Sequence, residues 1–380
     1  MTSRAPAVAV AMQRRFRSPL HDEAVAARLG LALGITFTVC AVTGAFSHLQ
    51  QHDPTWLDLP ARPAGLYRVT QGLHVITGFA SIPLLLAKLW VVSPRLVEWP
   101  PARSVAHAIE RLALLPLVGG GLFLLLSGVA NVAHWYPWTF FFPAAHLWAA
   151  WITIGALIAH VGATITVSRA ELRRPADAAS PAARMERRRF LGGIAATSGI
   201  LALATAGSTI SFLSPVAFLG QRRPRVGPQG LPVNKTAASA HVLDSAVDPS
   251  WRLVVATPKG QTAFSLADLQ AMPQREATLP IACVEGWSAS ARWQGVPVRD
   301  LLARVGVPSR ARVTVSSLQP RGLYRASELN PEQSNDPDTL LALRLDGEEL
   351  HVDHGYPLRL IGPNRPGVSQ TKWVSRLEVQ

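Results

Sequence analysis

Arg187–Gly193 reads RRRFLGG and runs straight into an apolar stretch that ends near residue 213. Paired arginines ahead of Phe190 and Leu191 have the form of a twin-arginine export signal, an address read by a transport route. Such signals stand at the front of proteins, yet this one stands halfway along a chain of 380 residues. Before it lie long apolar runs; after it come short alternating segments with many Pro and Gly turns. Two accounts are open. Either a second protein begins here, fused behind the first, or Arg187–Arg189 are positive charge on the inner side of one more membrane span. The twin-arginine route carries proteins that fold before export, usually around a cofactor. The first account therefore predicts a cofactor-loaded domain after residue 213. No small-residue cleavage site stands out near Ser214, so the segment is expected to remain as an anchor.

The composition excludes an ordinary soluble enzyme, with 48% of residues hydrophobic and only 16% charged. Crossing a bilayer takes about 20 mostly apolar residues. Five runs qualify, at 29–48, 69–92, 107–130, 146–168 and 190–213. Residues 1–28, 93–105 and 169–189 carry 5, 2 and 7 arginines, whereas 49–68 carries two (Arg62 and Arg68) and 131–145 none. Lys and Arg collect on cytoplasmic loops. The N-terminus is therefore expected inside and residues 214–380 outside, in a multi-pass protein of a bacterial inner membrane. Trp135–Phe142, WYPWTFFF, fits an aromatic belt at the outer interface. The same arginines account for the net charge of +13, so membrane lipid is the expected partner and nucleic acid is not.

The expected organisation is a cytoplasmic N-terminus (1–28), a four-helix membrane domain (29–168), a basic cytoplasmic linker (169–189), a fifth transmembrane anchor (190–213) and an outer domain (214–380). In the outer domain, 251–269 reads as strand, turn, strand and helix start, and 312–318 (RVTVSSL) as a further strand. Mixed strands and short helices predict an α+β domain. Cys40 and Cys283 are the only cysteines, and Cys40 lies in an apolar run. The outer domain therefore has no disulfide framework, and Cys283 stands alone there.

The residues around Cys283 carry a resemblance. CVEGWS (283–288), a W-x-G-V-P tract from Trp293 and the Asp300–Leu302 helix start resemble the sulfite oxidase family of molybdenum enzymes. So do HGYPLRL (354–360), the Pro363–Gly367 turn and KWV (372–374). The similarity covers about residues 231–380 and is closest to the periplasmic methionine sulfoxide reductase branch. The C-terminal immunoglobulin-like dimerisation domain of eukaryotic and plant sulfite oxidases is not expected here.

The resemblance implies molybdenum held by a pterin dithiolene and one protein thiolate, which would be Cys283. Soft sulfur ligands suit such a metal, and the thiolate is the ligand form. A buried structural cysteine is the plainer alternative. The resemblance also implies that His354, Arg359, Gln370, Thr371 and Lys372 contact the molybdopterin, with Ser317 and Asn234 matching further contact positions. Arg and Lys are the natural partners of its phosphate. Sulfite oxidases place arginines around an oxyanion site, which makes Arg292, Arg321 and Arg325 candidates beside their reading as solvated surface residues.

An oxidoreductase needs an electron partner, and the spans contain histidines. His48, His74, His134 and His146 lie 20, 21, 23 and 23 residues from Arg28, Arg95, Arg111 and Arg169. At about 1.5 Å per residue all four reach the outer level. Two imidazoles at one depth can ligate a haem iron, and His74 with His146, inside helical pattern, is the expected pair. His48 and His134 read as interfacial. His160 follows His146 by 14 residues on the same helix face, a spacing that resembles di-haem cytochrome b modules. Lys88 stands 14 residues after His74 and reads as snorkelling to the inner face. A second haem at His160 would need His21 or His107, neither well placed by depth. One b-type haem is expected, with His160 marking where a second would bind.

The sequence thus predicts an all-α transmembrane four-helix haem bundle with a fifth anchor helix, followed by an α+β sulfite oxidase-type molybdopterin domain. Electrons would pass between the quinone pool, haem and molybdenum, moving an oxygen atom to or from a sulfur-type substrate. The leaning is towards methionine sulfoxide reduction. Sulfite dehydrogenation and a non-catalytic sensor on the same fold are the alternatives.

Overall fold

The computed structural model describes residues 18–52, 54–96, 105–175, 180–220, 222, 225–308 and 310–380. Arg4, Arg14, Arg15, Arg17 and Arg103, which enter the arginine count, and the side chain of His107 lie outside the described residues. Among the described residues, five helices are long and apolar enough to cross a membrane: α1 (Glu23–His52), α2 (Leu66–Leu96), α3 (Val105–Val132), α4 (Phe142–Arg173) and α5 (Pro181–Ala206). Each overruns its expected span at one end or both, because backbone hydrogen bonding continues beyond the apolar run.

The chain folds as two compact units. One runs to Val42 and resumes at His74–Thr205; the other comprises Thr43–Leu73 and Ala206–Gln380. In the first unit, Phe190, Leu191 and Ile194 pack against a cluster of Val25, Leu29, Leu84, Ala87 and Val91. The apolar residues of the arginine motif are thus part of a helical core with α1 and α2, and Arg187 pairs with Asp22 at 3.5 Å. Helices α3 and α4 touch closely at Gly120, where a Cβ would come 2.1 Å from Thr153 Oγ1. Small residues at helix contacts permit such approach in membranes. Lys88 donates to the Ala26 carbonyl, near the N-terminal end of α1, at 2.6 Å. Leu112, Leu115, Trp148, Ile152 and Ile158 are all exposed. Apolar surface on this scale is suited to lipid contact.

The second unit contains two five-stranded sheets. One has the order β2 (Gly260–Ser265), β1 (Arg252–Thr257), β10 (Val374–Val379), β5 (Val313–Ser317), β6 (Ala326–Leu329), with β1 and β10 parallel. The other runs β3 (Arg275–Ala282), β4 (Ser288–Pro297), β7 (Leu340–Leu345), β8 (Glu348–Glu349), and β9 (Arg359–Ile361) also pairs with β7. A short helix α6 (Leu243–Ala246) precedes β1, and α7 (Leu266–Ala271), α8 (Val298–Arg304) and α9 (Pro331–Asn335) lie on the connections between the sheets. The sheets follow from alternation: Leu253, Val255, Val313, Val315 and Leu377 turn inward into one core. Ser265 ends β2 and starts α7 with a reciprocal capping box to Asp268.

Thr43–Leu73, read from sequence as part of the membrane domain, joins this unit because its polar groups are spent there. Asn364 is buried at φ +51°, a left-handed conformation that Asn tolerates. Its side-chain oxygen accepts from Gln50 Nε2 (2.7 Å) and from the Tyr67 amide (2.9 Å). Its amide nitrogen donates to the Pro60 carbonyl at 2.8 Å. Arg62 forks onto Asp336 at 2.8 and 3.0 Å and also reaches Asp338, while Asn330 donates to the Leu59 carbonyl at 3.0 Å. Asn364→Ala strands the buried partners of one side chain. It is expected to cost about 3 kcal/mol of stability, measured by thermal unfolding of the detergent-purified protein. Asn364→Asp keeps the acceptor for Gln50 and Tyr67 but sets a buried carboxylate oxygen against the Pro60 carbonyl, and is expected to cost at least as much.

Candidate active site

Strands β3 and β4 are joined by Cys283–Trp287, a turn closed by Cys283 N to Trp287 O (2.9 Å) and Gly286 N to Cys283 O (3.0 Å). Gly286 has φ +89°, which favours glycine. Two distant segments hold the turn. Gln71 Nε2 donates to Val284 O at 2.7 Å, Thr209 Oγ1 to Gly286 O at 2.6 Å, and Ser288 N to Ser208 O at 2.8 Å. The Cys283 thiol is 5% exposed and receives Asn234 Nδ2 at 2.9 Å. The same Asn234 nitrogen donates to Glu285 Oε1 at 2.9 Å, and Trp287 Nε1 donates to Glu285 Oε2 at 3.0 Å. Burial, then the Glu285 charge, pushes the thiol well above its ordinary value. Such a group holds its proton in neutral water but gives it up to a coordinated cation.

Asn234 leads to a second set of residues. Its neighbour Lys235 offers its carbonyl to the Lys372 amine, which also donates to Asp353 O at 2.9 Å and lies 4.5 Å from the Trp373 ring. Ser317 Oγ donates to Lys372 O at 2.7 Å. Arg359 donates to His354 O at 3.0 Å and stacks over Trp293, but its buried Nε has no partner. His354 Nε2 donates to Pro228 O at 2.7 Å. At Gly355, φ +112°, a Cβ would press within 3.2 Å of both Lys372 and Arg359, so the glycine of HGYPLRL lets the two cationic residues converge. Burial lowers Arg359 to about 9 and Lys372 to about 7, and burial with the Arg359 charge lowers His354 to about 4. A buried guanidinium whose Nε has no partner, beside a buried ammonium held by neutral backbone carbonyls, fits an anionic group, such as the phosphate of a molybdopterin.

Asn234, Cys283, Ser317, His354, Arg359 and Lys372 are thus connected. Gln370 and Thr371 are buried beside them in the chain: Gln370 Nε2 donates to Arg365 O at 3.2 Å while its oxygen has no partner, and Thr371 bonds Ser327 Oγ at 2.7 Å. Arg292 is not brought in. It is more than half exposed and faces Glu276 and Asp346 at 3.9 and 3.8 Å, because its β4 position points out of the sheet. Arg321 and Arg325 are exposed in the segment between β5 and β6. Sequence reading missed Glu285, Lys235 and buried Arg365, which donates to Ser369 O at 2.8 Å. Glu285 was visible inside CVEGWS, but no pattern marked its partners.

In the helical unit, the rings of His74 and His146 lie 6.2 Å apart, near perpendicular. His74 Nδ1 donates to the Cys40 carbonyl at 2.8 Å, and His146 Nδ1 pairs with Ser127 Oγ at 2.8 Å. Metal-ligating histidines are commonly oriented through the other ring nitrogen in this way. The separation suits two imidazoles sharing one metal at about 2 Å from each ring. His160 is part-buried further along α4, and His21 bonds the Val91 carbonyl at 2.9 Å.

Residues 240–380 match the family described as oxidoreductase molybdopterin binding domain. The chain is 31% identical to mouse mitochondrial sulfite oxidase over 163 residues, covering 35% of this chain and 30% of that protein. It is 32% identical over 117 residues to the putative protein-methionine-sulfoxide reductase subunit YedZ1 of Azospira oryzae, covering 31% and 44%. The sulfane dehydrogenase SoxCD of Paracoccus pantotrophus aligns at 25% identity over 35% of this chain and 40% of that one, with a TM-score of 0.32. The chain therefore spans less than half the length of these relatives. Its C-terminal part is a molybdopterin-binding oxidoreductase domain. The chain is thus similar to enzymes of the sulfite oxidase type over part of its length.

Proposed function

We propose that the protein is a membrane-embedded molybdopterin oxidoreductase that reduces a sulfoxide of the methionine sulfoxide type with electrons drawn from the quinone pool. The observation that carries the reading is the connected set from the buried Cys283 thiol to the buried cations Arg359 and Lys372. Cys283 would ligate molybdenum; Asn234, Ser317, His354, Arg359, Gln370, Thr371 and Lys372 would hold the pterin. When bound, the molybdenum centre supplies oxygen-atom and two-electron chemistry. The residues here desolvate the thiolate, orient it through Asn234 and neutralise the phosphate. Overall, a sulfoxide takes two electrons and two protons and becomes a thioether and water, while a quinol gives up the same. His74 and His146 would hold one b-type haem as the relay, with His160 the site for a second. The arginine asymmetry supports a cytoplasmic N-terminus and an extracytoplasmic molybdopterin domain at an inner membrane.

The second reading, sulfite oxidation with quinone reduction, draws on the likeness to mouse sulfite oxidase. Haem absorbance of the purified protein, followed anaerobically, separates the two. Oxidation of reduced haem by methionine sulfoxide is the expected result; reduction of oxidised haem by sulfite instead would establish the second reading.

Cofactor retention is expected to depend on pH through Lys372. In the free site its ammonium loses a proton above about 7, and an anionic phosphate favours the charged form. Binding therefore takes up a proton above pH 7. Affinity should be flat below 7 and fall up to about tenfold per unit above it. Molybdenum per chain after gel filtration at pH 6, 7.5 and 9 measures this, and Lys372→Met should bind weakly with a flattened slope.

A further inference from the structure

We propose that Gln71 is a positioning residue that tunes the Cys283 sulfur as a metal ligand, acting through a single peptide unit. The proposal rests on the molybdopterin reading above and adds to it a residue that lies outside the matched segment 240–380. Gln71 is buried in the early turns of α2, and its Nε2 donates at 2.7 Å to the Val284 carbonyl, 213 residues further along the chain. A side-chain amide has a donor end and an acceptor end, and only the donor end can face a carbonyl. The Val284 carbonyl and the Glu285 N–H belong to one peptide group, which is planar and conjugated. The N–H groups of Glu285 and Val284 face the Cys283 sulfur. The relay therefore runs from the Gln71 amide to Val284 C=O, and from Glu285 N–H to Cys283 Sγ.

Donation to the peptide oxygen draws electron density through the group and makes its N–H a stronger donor, as along any chain of hydrogen bonds. A stronger N–H bond to a ligand sulfur withdraws density from it. Hydrogen bonds around ligand sulfurs are one of the levers that set the reduction potential of a thiolate-bound metal. The close approach of α2 is built in. A Cβ at Gly72 would come 2.8 Å from Thr209 Cγ2, so the glycine next to Gln71 lets the start of α2 lie against Thr209. Thr209 Oγ1 in turn donates to Gly286 O at 2.6 Å. It grips the same turn with a bond of the same kind, but the peptide it polarises carries the Trp287 N–H rather than that of Val284 or Glu285. The two residues thus separate holding the turn from tuning the sulfur.

The test uses the full-length, molybdenum-loaded protein in detergent, titrated with redox mediators at fixed pH without substrate. The paramagnetic resonance signal of the molybdenum is the readout. Gln71→Met removes the donor and keeps the length of the side chain; Thr209→Val removes the hydroxyl at nearly constant shape. Gln71→Met is expected to keep its metal and to shift the one-electron equilibrium towards the oxidised form by about three- to tenfold, a fall in potential of about 30–60 mV. Thr209→Val is expected to shift that equilibrium by less than about twofold. An unchanged potential in Gln71→Met would overturn the proposal. An equal shift in both variants, or loss of molybdenum from Gln71→Met, would overturn it too, assigning Gln71 to holding the Cys283 turn. The outcomes are distinct from failure of the functional reading. A molybdenum-loaded wild type that turned over neither sulfoxide nor sulfite would sink that reading, while the potentials, read without turnover, would still decide Gln71.

Discussion

Cys283→Ser is expected to reduce bound molybdenum to background and turnover by a thousandfold or more, equivalent to about 4 kcal/mol of transition-state stabilisation. The substitution is nearly isosteric, so the β3–β4 turn keeps its closing bonds at Cys283 N and O, which are backbone groups. Asn234 keeps an acceptor. What changes is the donor atom. A buried thiol already held above its ordinary value needs a cation to take its proton. A hydroxyl in the same position is far less acidic and a harder ligand, poorly matched to a sulfur-ligated metal. Metal analysis and dye-linked activity on one preparation measure the effect. The haem absorbance should be unchanged, which separates a lost ligand from a lost fold. Full activity in the serine variant would remove Cys283 from the site.

The second large effect is His146→Ala, expected to abolish the haem absorbance and all quinol-driven turnover. His146 pairs through Nδ1 with Ser127 and lies 6.2 Å from His74, so removing it leaves at most one axial ligand. Molybdenum content and activity with an artificial electron donor should persist, because neither involves this residue. An intact haem spectrum in the variant would move the ligand elsewhere.

Both proposed sites can be read in the sequence because their parts lie in short local patterns. Cys283 with its turn, and His354, Gly355 and Arg359, each occupy a few consecutive residues. The depth argument for His74 and His146 needed only helical rise and the arginines. What remained hidden depended on partners far apart in the chain. Arg292 looked like a site residue by type, yet its strand turns it towards Glu276 and Asp346. Glu285 was in plain view, but its meaning comes from Asn234, 51 residues earlier.

The amino-acid sequence by itself determined five long apolar helices, a domain of mixed strands and short helices after them and a solitary cysteine within it. Each of these follows from local composition and periodicity. Only the tertiary structure decided that Thr43–Leu73 belongs with the C-terminal unit. The reason is hydrogen-bond satisfaction. Polar groups at Gln50, Pro60, Arg62 and Tyr67 find their partners at Asn364, Asp336 and Asp338, roughly 300 residues away, and no local pattern encodes a pairing over that distance.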